Sequence, residues 1–328
     1  MIFLKLILTV FLSAWVMFIG LLYKGIDRKI AARLQARFGP PIIQPFYDVI
    51  KLLQKENIVP ENAVPWIFNG APWLALLASI SLFFYQPMGS LPPILGDRGD
   101  IILILYVFTV AAIAIVAGGF ASGSPFATVG AQREMVLLMS YEFPLATAII
   151  ALAWYYSKTF SDLPAFSLYT YVLKPIWSHV GPLGFLGMLL IMLTILVVAP
   201  AELGKIPFDI AEAETEIAEG VMVEYSGKNY ALFYIADGVK TLAMTALVVN
   251  MFFPWNLSSF FGLSGVGAYL LDFIFFWVKV LALLLISVTL VRVAFARLKV
   301  DQIARFYWFP LLLTSMVGLL LVVCDKLV

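Results

Sequence analysis

Eight apolar runs, each close to the length of a bilayer-crossing helix, constrain this chain more than any other feature. They fall at about 2–22, 71–88, 101–120, 135–156, 183–201, 230–253, 268–292 and 306–324. A helix rises ~1.5 Å per residue and a hydrocarbon layer is about 30 Å thick, so roughly twenty apolar residues cross it. A chain kept in water could not cover so much oil: 62% of its residues are hydrophobic and 12% charged, where a soluble domain carries about a quarter charged. The fold class that follows is all-α, a polytopic membrane protein with about eight transmembrane helices and amphipathic cytoplasmic helices at the interface. No repeat or low-complexity linker divides residues 1–328, which read as a single integral membrane domain. The first run lacks a small-residue cleavage site and is expected to remain as a span.

Charge placement orients the spans. The first connection holds Lys24, Arg28, Lys29, Arg33, Arg37, Lys51 and Lys55, and the seventh holds Arg297, Lys299 and Arg305. Even-numbered connections hold only Arg98, Lys158 and Lys174. The positive-inside rule then puts the odd connections in the cytoplasm and both termini outside. A net charge of +1 gives no reason to invoke nucleic acid. One cysteine, Cys324, and one histidine, His179, cannot ligate an iron–sulfur cluster, a haem pair or a structural zinc, so any redox centre belongs to another chain. Cys324 is expected to be a small buried hydrophobe in the last span, and His179 a surface residue.

Two connections remain patterned although rich in charge. In 24–60, Ile30, Leu34 and Phe38 recur at helical spacing until Gly39-Pro40-Pro41, and a second short helix follows Pro45, so an amphipathic pair at the interface is expected. In 206–227 there are six acids and no Lys or Arg. Pro207 permits a helix start, Asp209 suits its first turn, and Glu212, Glu216 and Glu219 at i, i+4 and i+7 would share one face. A solvated acidic face costs only tenths of a kcal/mol per like-charged pair. A desolvated row would instead raise its pKa values and share protons, which makes a relay or cation path.

Ionisable groups at membrane depth are costly and mark function by default. Arg133, Glu134 and Glu142 fall at the start and in the first turns of the fourth run. Asp237 and Lys240, at i, i+3, could pair within the sixth run, and Asp272 and Lys279, at i, i+7, share a face of the seventh. Glu142 has no basic residue within a turn and stands beside Tyr141, which favours a titrating role.

Four blocks, "DRKIAARLQARFGP…QPFYDVIKLLQKE", "GSPFATVGAQREMVLLMSYE", "AELGKIPFDIAEAETEIAEGVMVEYSG" and "RVAFARLKVDQIARFYW", resemble the eight-span subunit shared by NADH:quinone oxidoreductase (NuoH type) and the group 4 membrane-bound NiFe hydrogenases. The likeness covers nearly the whole chain. It implies a subunit of a respiratory-complex-I-like assembly that joins a peripheral redox arm to ion-translocating subunits. The implied path residues are Glu142, Glu202, Asp209, Glu212, Glu214, Glu216 and Glu224; Glu219 looks like an addition, and Asp237 and Lys240 join them as membrane-depth candidates. Docking of the arm is expected on Arg28, Arg33, Arg37, Gln44, Asp48, Lys51, Arg133, Arg297 and Asp301. The pattern departs from the quinone branch at two places. Only Pro41-Ile42-Ile43 separates Pro40 from Gln44, and Leu137 replaces a glutamine, so a quinone site is not expected.

The hydrogenase branch implies a non-redox membrane subunit of a ferredoxin-dependent, hydrogen-evolving oxidoreductase in the cell membrane, with the redox arm on the cytoplasmic side. No cofactor is expected in this chain. A NiFe centre and 4Fe-4S clusters are expected on partners: a NiFe-type large subunit, a 4Fe-4S small subunit and antiporter-like membrane subunits, with ferredoxin acting indirectly and lipid around the spans. A sulfur- or polysulfide-reducing relative, a quinone-site subunit and a stand-alone transporter are the alternatives.

Overall fold

A computed structural model describes residues 2–96, 99–160 and 162–327. Arg98, counted above among the even connections, lies outside them. Among the described residues eight helices are long and apolar enough to cross a membrane: α1 (Ile2–Leu34), α3 (Pro65–Ser81), α4 (Ile101–Ala121), α5 (Pro125–Thr159), α6 (Pro182–Glu202), α7 (Gly227–Phe252), α8 (Val266–Ala294) and α9 (Val300–Leu327). One amphipathic helix, α2 (Gln44–Gln54), joins them. Among the described residues no strand forms beyond an isolated bridge between Met88 and Leu91.

Local chemistry explains the starts. Proline stands in the first turn of α2, α3, α5 and α6, where a missing N–H costs nothing. The Asp100 carboxylate caps α4 by accepting from the Leu103 N–H at 2.8 Å. Two helices contain π-helical turns, Leu285–Thr289 in α8 and Tyr307–Leu311 in α9, the second around Pro310.

α7 is the most enclosed of the eight and packs against α1, α2, α3 and α8. Glycine permits its closest approach: a Cβ at Gly20 of α1 would lie 3.1 Å from the Gly238 carbonyl carbon. Such small-residue crossings suit membrane helices, where backbone contact replaces the hydrophobic drive. A peripheral pair, α6 and α9, meets in the same way at Gly187 and Gly318.

The connections sort by parity. Odd ones meet at one end: Ile58 N–H donates to Ser226 Oγ, Val64 N–H to the Ala121 carbonyl, and Leu298 N–H to the Pro207 carbonyl. Even ones meet at the other, where Ile101 N–H donates to the Phe166 carbonyl and Gly181 N–H to the Asp325 carboxylate.

Four expectations need correction. The 24–38 segment is not a separate interface helix, because α1 continues unbroken to Leu34 before turning; α2 alone of the expected pair is distinct. Arg133 and Glu134 are not at a span start, since α5 begins at Pro125, more than two turns earlier. Cys324 is exposed on the flank of α9 and not buried. The acidic segment is not an extended helix: between α6 and α7 only Glu214–Ile217 and Gly220–Met222 make short helical turns. Three successive residues, Ala218, Glu219 and Gly220, take left-handed φ of 49°, 70° and 50°, which no α-helix allows.

Candidate functional site

The segment 203–226 folds back against the bundle. Tyr225 stacks on Phe68 with centroids 4.2 Å apart and planes 3° from parallel, and its hydroxyl donates to the Phe68 carbonyl. Gly130 of α5 makes room, for a Cβ there would lie 2.6 Å from the Val221 nitrogen and 2.8 Å from the Ala211 oxygen. Acids of the segment thereby meet cations from distant helices. Arg297 binds Asp209 through two nitrogens, at 2.8 and 2.6 Å, and also reaches Thr215. Arg133 lies 2.6 Å from Glu216. The row lacks a local cation in sequence, yet tertiary structure supplies them.

Deeper in, Asp237 is clasped by two lysines, Lys24 Nζ at 2.7 Å and Lys205 Nζ at 2.7 and 2.8 Å. Lys24 also lies over the Tyr234 ring, 3.5 Å from its centroid. Lys240 turns away from Asp237: its Nζ donates to the Glu202 carbonyl at 2.6 Å and stands 2.9 Å from Glu202 Oε1. Thus the expected Asp237–Lys240 pair does not form. Side chains three apart leave a helix about 60° apart, and each here finds a better partner on a neighbouring element. Nor do Asp272 and Lys279 pair: Asp272 accepts from the Ser258 backbone and hydroxyl, while Lys279 donates to the carbonyls of Phe253 and Trp255. Those two groups close the even end and line none of the cavities below.

Three adjoining cavities connect these groups. The first, about 220 Å³, is walled by Lys24, Asp27, Arg28, Tyr230, Tyr234 and Arg292 together with Lys205, Glu212 and Asp237. The second, about 60 Å³, shares Lys205, Glu212 and Asp237 with the first and adds Asp209, Glu134, Glu202 and Lys240. The third, about 370 Å³, shares Glu202 with the second and reaches Glu142 and Thr109 among apolar side chains of α4 and α5. A water needs only ~10–15 Å³ of such space, so each cavity is roomy enough for one or more. Glu142 Oε1 lies 3.1 Å from the Thr109 hydroxyl oxygen, which is also 3.2 Å from the Leu105 carbonyl oxygen, so the one hydroxyl proton has two acceptors in reach. Tyr141 Oη, buried beside it in sequence, makes no hydrogen bond of good geometry among the described residues, with the Glu202 carboxylate its nearby acidic neighbour.

Two groups of the segment lie outside the spans and their titration is shifted. Crowding by surrounding protein pushes the Glu212 carboxyl up, against the pull of Lys205 and Lys24, although one face of it remains open to water. For Lys205, burial pulls the ammonium down, but the Asp237 charge and hydrogen bonds more than offset it and leave it above its usual value.

Of the sequence candidates, Glu202, Asp209, Glu212, Asp237 and Lys240 converge on the middle cavity, and Glu142 on the lateral one. Glu216 pairs at the surface with 45% of its side chain exposed, Glu214 and Glu219 are exposed, and Glu224 is half-buried; none of these four lines the cavities. Arg28, Gln44 and Asp48 form one cluster, with Asp48 accepting from both of the others. Arg33, Arg37, Lys51 and Asp301 are exposed. Lys24, Asp27, Lys205, Glu134 and Arg292 line cavities although sequence reasoning did not choose them as path residues. Asp27 accepts from Thr289 at 2.6 Å, a residue that the π-helical turn of α8 presents, and Arg292 lies 3.0 Å away. Their signal was available: all five are ionisable groups at or within span ends, where charge is expensive. Among the described residues no three His, Cys, Asp or Glu side chains converge as metal ligands.

The family profile described as NADH dehydrogenase matches residues 6–323. This chain belongs to that family. Among its relatives, an NADH-quinone oxidoreductase subunit of Rhizobium meliloti is 31% identical over 90% of this chain and 89% of its own length. Formate hydrogenlyase subunit 4 of Escherichia coli is 30% identical over 88% of this chain and 89% of its own. A chain from the membrane-bound sulfane sulfur reductase, an archaeal respiratory membrane complex, superposes with a TM-score of 0.82 at 31% identity, covering 98% of this chain and 99% of that one. The NuoH-type resemblance read from four sequence blocks is therefore correct. As an NADH dehydrogenase family member, the chain is a multi-pass membrane subunit of the kind found in multi-subunit oxidoreductases. Identity alone does not separate the branches, for all three relatives stand within one percentage point.

Proposed function

We propose that this chain is the membrane-anchor and ion-path subunit of a ferredoxin-dependent, hydrogen-evolving complex of the group 4 type. It would join a peripheral arm, carrying NiFe and 4Fe-4S centres, to antiporter-like membrane subunits. The observation that carries the coupling role is the run of cavities from Arg292 and Asp27, through Lys205, Asp237 and Glu202, to Glu142. Charged groups and water-sized spaces alternate along it, so protonation at one station changes the field at the next. The odd connections, rich in Lys and Arg, face the cytoplasm in this reading, and both termini lie outside. Seven charged residues around a 220 Å³ first cavity make a poor bed for an apolar quinone tail.

The second reading is sulfane sulfur reduction with the same membrane module, favoured by the end-to-end match to the archaeal reductase chain. Membrane vesicles given reduced ferredoxin separate the two: hydrogen release supports the first, and sulfide release from polysulfide supports the second. For the path, Glu142→Gln should leave assembly and electron transfer intact, and Glu202→Gln, which also strands the buried Lys240 ammonium, is read in the complexes that still assemble and transfer electrons. Each should lower coupled ion transport about tenfold, equivalent to ~1.4 kcal/mol on the transfer barrier. Unchanged transport in both variants would remove these groups from the mechanism.

A further inference from the structure

A hollow of about 470 Å³ lies between the end of α1 and the chain returning from it, and Arg28, Arg37 and Arg292 line it without any acidic side chain. Its size falls within the ~300–1,000 Å³ of small-ligand sites. Two of the guanidiniums have carboxylates at their outer edges, Arg28 with Asp48 at 3.2 Å and Arg292 with Asp27 at 3.0 Å. Arg37 hydrogen-bonds the neutral Gln35, a contact that leaves its charge unmatched. The hollow therefore carries a surplus positive charge in a concave setting, which is what a phosphate requires.

Its height in the membrane follows from α1 and α2. The Phe46 ring of α2 packs on Phe18 of α1, centroids 5.4 Å apart, and the Ile42 carbonyl abuts Gly25 with no space for a Cβ. So α2 lies alongside the membrane-crossing part of α1. Arg28 stands about 15 Å further along the helix axis than Phe18, toward the headgroup layer. On α2, whose Asp48 pairs at 3.2 Å with the Arg28 that lines the hollow, Tyr47, Ile50 and Leu53 recur every three residues and are 49%, 52% and 46% exposed. An exposed oily stripe on a helix at this depth is suited to acyl chains.

We propose that this hollow holds the phosphate of one anionic phospholipid, whose acyl chains run along the Tyr47–Ile50–Leu53 stripe. The site is separate from the run of cavities described above, although Arg28 and Arg292 border both. An acidic segment of a partner protein would satisfy the guanidiniums but would leave the apolar stripe without a role.

The chain, purified with its native partners in mild detergent, can be tested by mass spectrometry of co-purifying lipid and by labelling with photoreactive phosphatidylglycerol or phosphatidylcholine in vesicles. Anionic lipid should be retained and should label residues near Arg37. Arg37→Gln, which breaks no ion pair, should weaken retention about tenfold, the loss of one charge-assisted phosphate contact. Ile50→Ser should weaken it as well, and Arg33→Gln, outside the hollow, should not. Equal labelling by the two lipids, unchanged retention in Arg37→Gln, displacement by inorganic phosphate with no effect of Ile50→Ser, or a partner's acidic side chain found in the hollow would each overturn the proposal.

Discussion

Asp237→Asn removes the charge that two lysines share while keeping the side chain's shape. Lys24 and Lys205 each stand 2.7 Å from a carboxylate oxygen. At an effective dielectric of ~20, each contact is worth roughly 6 kcal/mol of gross Coulomb attraction, most of it offset by desolvation. Deleting one partner of a buried pair costs about 3–5 kcal/mol, since a stranded charge remains. Here two ammonium groups are stranded facing each other, but the Asp237 side chain is 30% exposed to a cavity that admits water. The lower end, about 3 kcal/mol, is therefore expected, or roughly two orders of magnitude in the equilibrium between seated and displaced forms of the 203–226 segment. The assay is thermal aggregation of the solubilised chain, with hydrogen exchange to localise the loss. A Lys205→Met/Asp237→Asn double variant should recover at least about half of the deficit, because one stranded charge is gone. A single variant as stable as the parent, or a double variant no better than the single, would refute the view of Asp237 as the shared counter-ion.

Three further outcomes follow from the same geometry. Gly130→Val should drive a side chain into the Val221 nitrogen and Ala211 oxygen, costing about 1–3 kcal/mol of overpacking, and limited proteolysis should then cut 203–226 faster. Glu212 has a raised pKa, so the folded state favours its protonated form and its contribution is lost as pH rises through the shifted value. Glu212→Gln should accordingly be neutral in strong acid and stabilising above the ordinary carboxyl range near 4.5, read as thermal stability against pH. Arg297→Gln should break the bidentate contact with Asp209 and loosen the segment by about 1–3 kcal/mol, seen as faster amide exchange at residues 207–217.

The spans were legible in sequence because a run of apolar residues needs no information from elsewhere: burial in lipid is satisfied residue by residue. Their bounds shifted outward at polar ends, as with α1 continuing to Leu34 and α5 starting at Pro125, since a helix can leave the hydrocarbon without ending. The acidic segment was not legible. Its spacing of Glu212, Glu216 and Glu219 fits a helix face, but Gly220 must press against the Ala211 backbone, and the local turn to left-handed φ breaks the helix. Ion pairing failed for a related reason. Sequence offers the neighbour three residues away, whereas Asp237 chose lysines from α1 and from the loop after α6, and Lys240 chose the end of α6. Partners separated by 32 to 213 positions leave no trace in local spacing.

Lys205 belongs to the surface-facing loop, yet its ammonium ends on a carboxylate of the innermost helix. A displacement of that loop that takes Lys205 with it would move a positive charge relative to the Asp237 carboxylate, without any helix having to slide. Under the proposed coupling role, such a tether would act as a lever of one side chain's length between the exposed face and the electrostatics of the membrane interior.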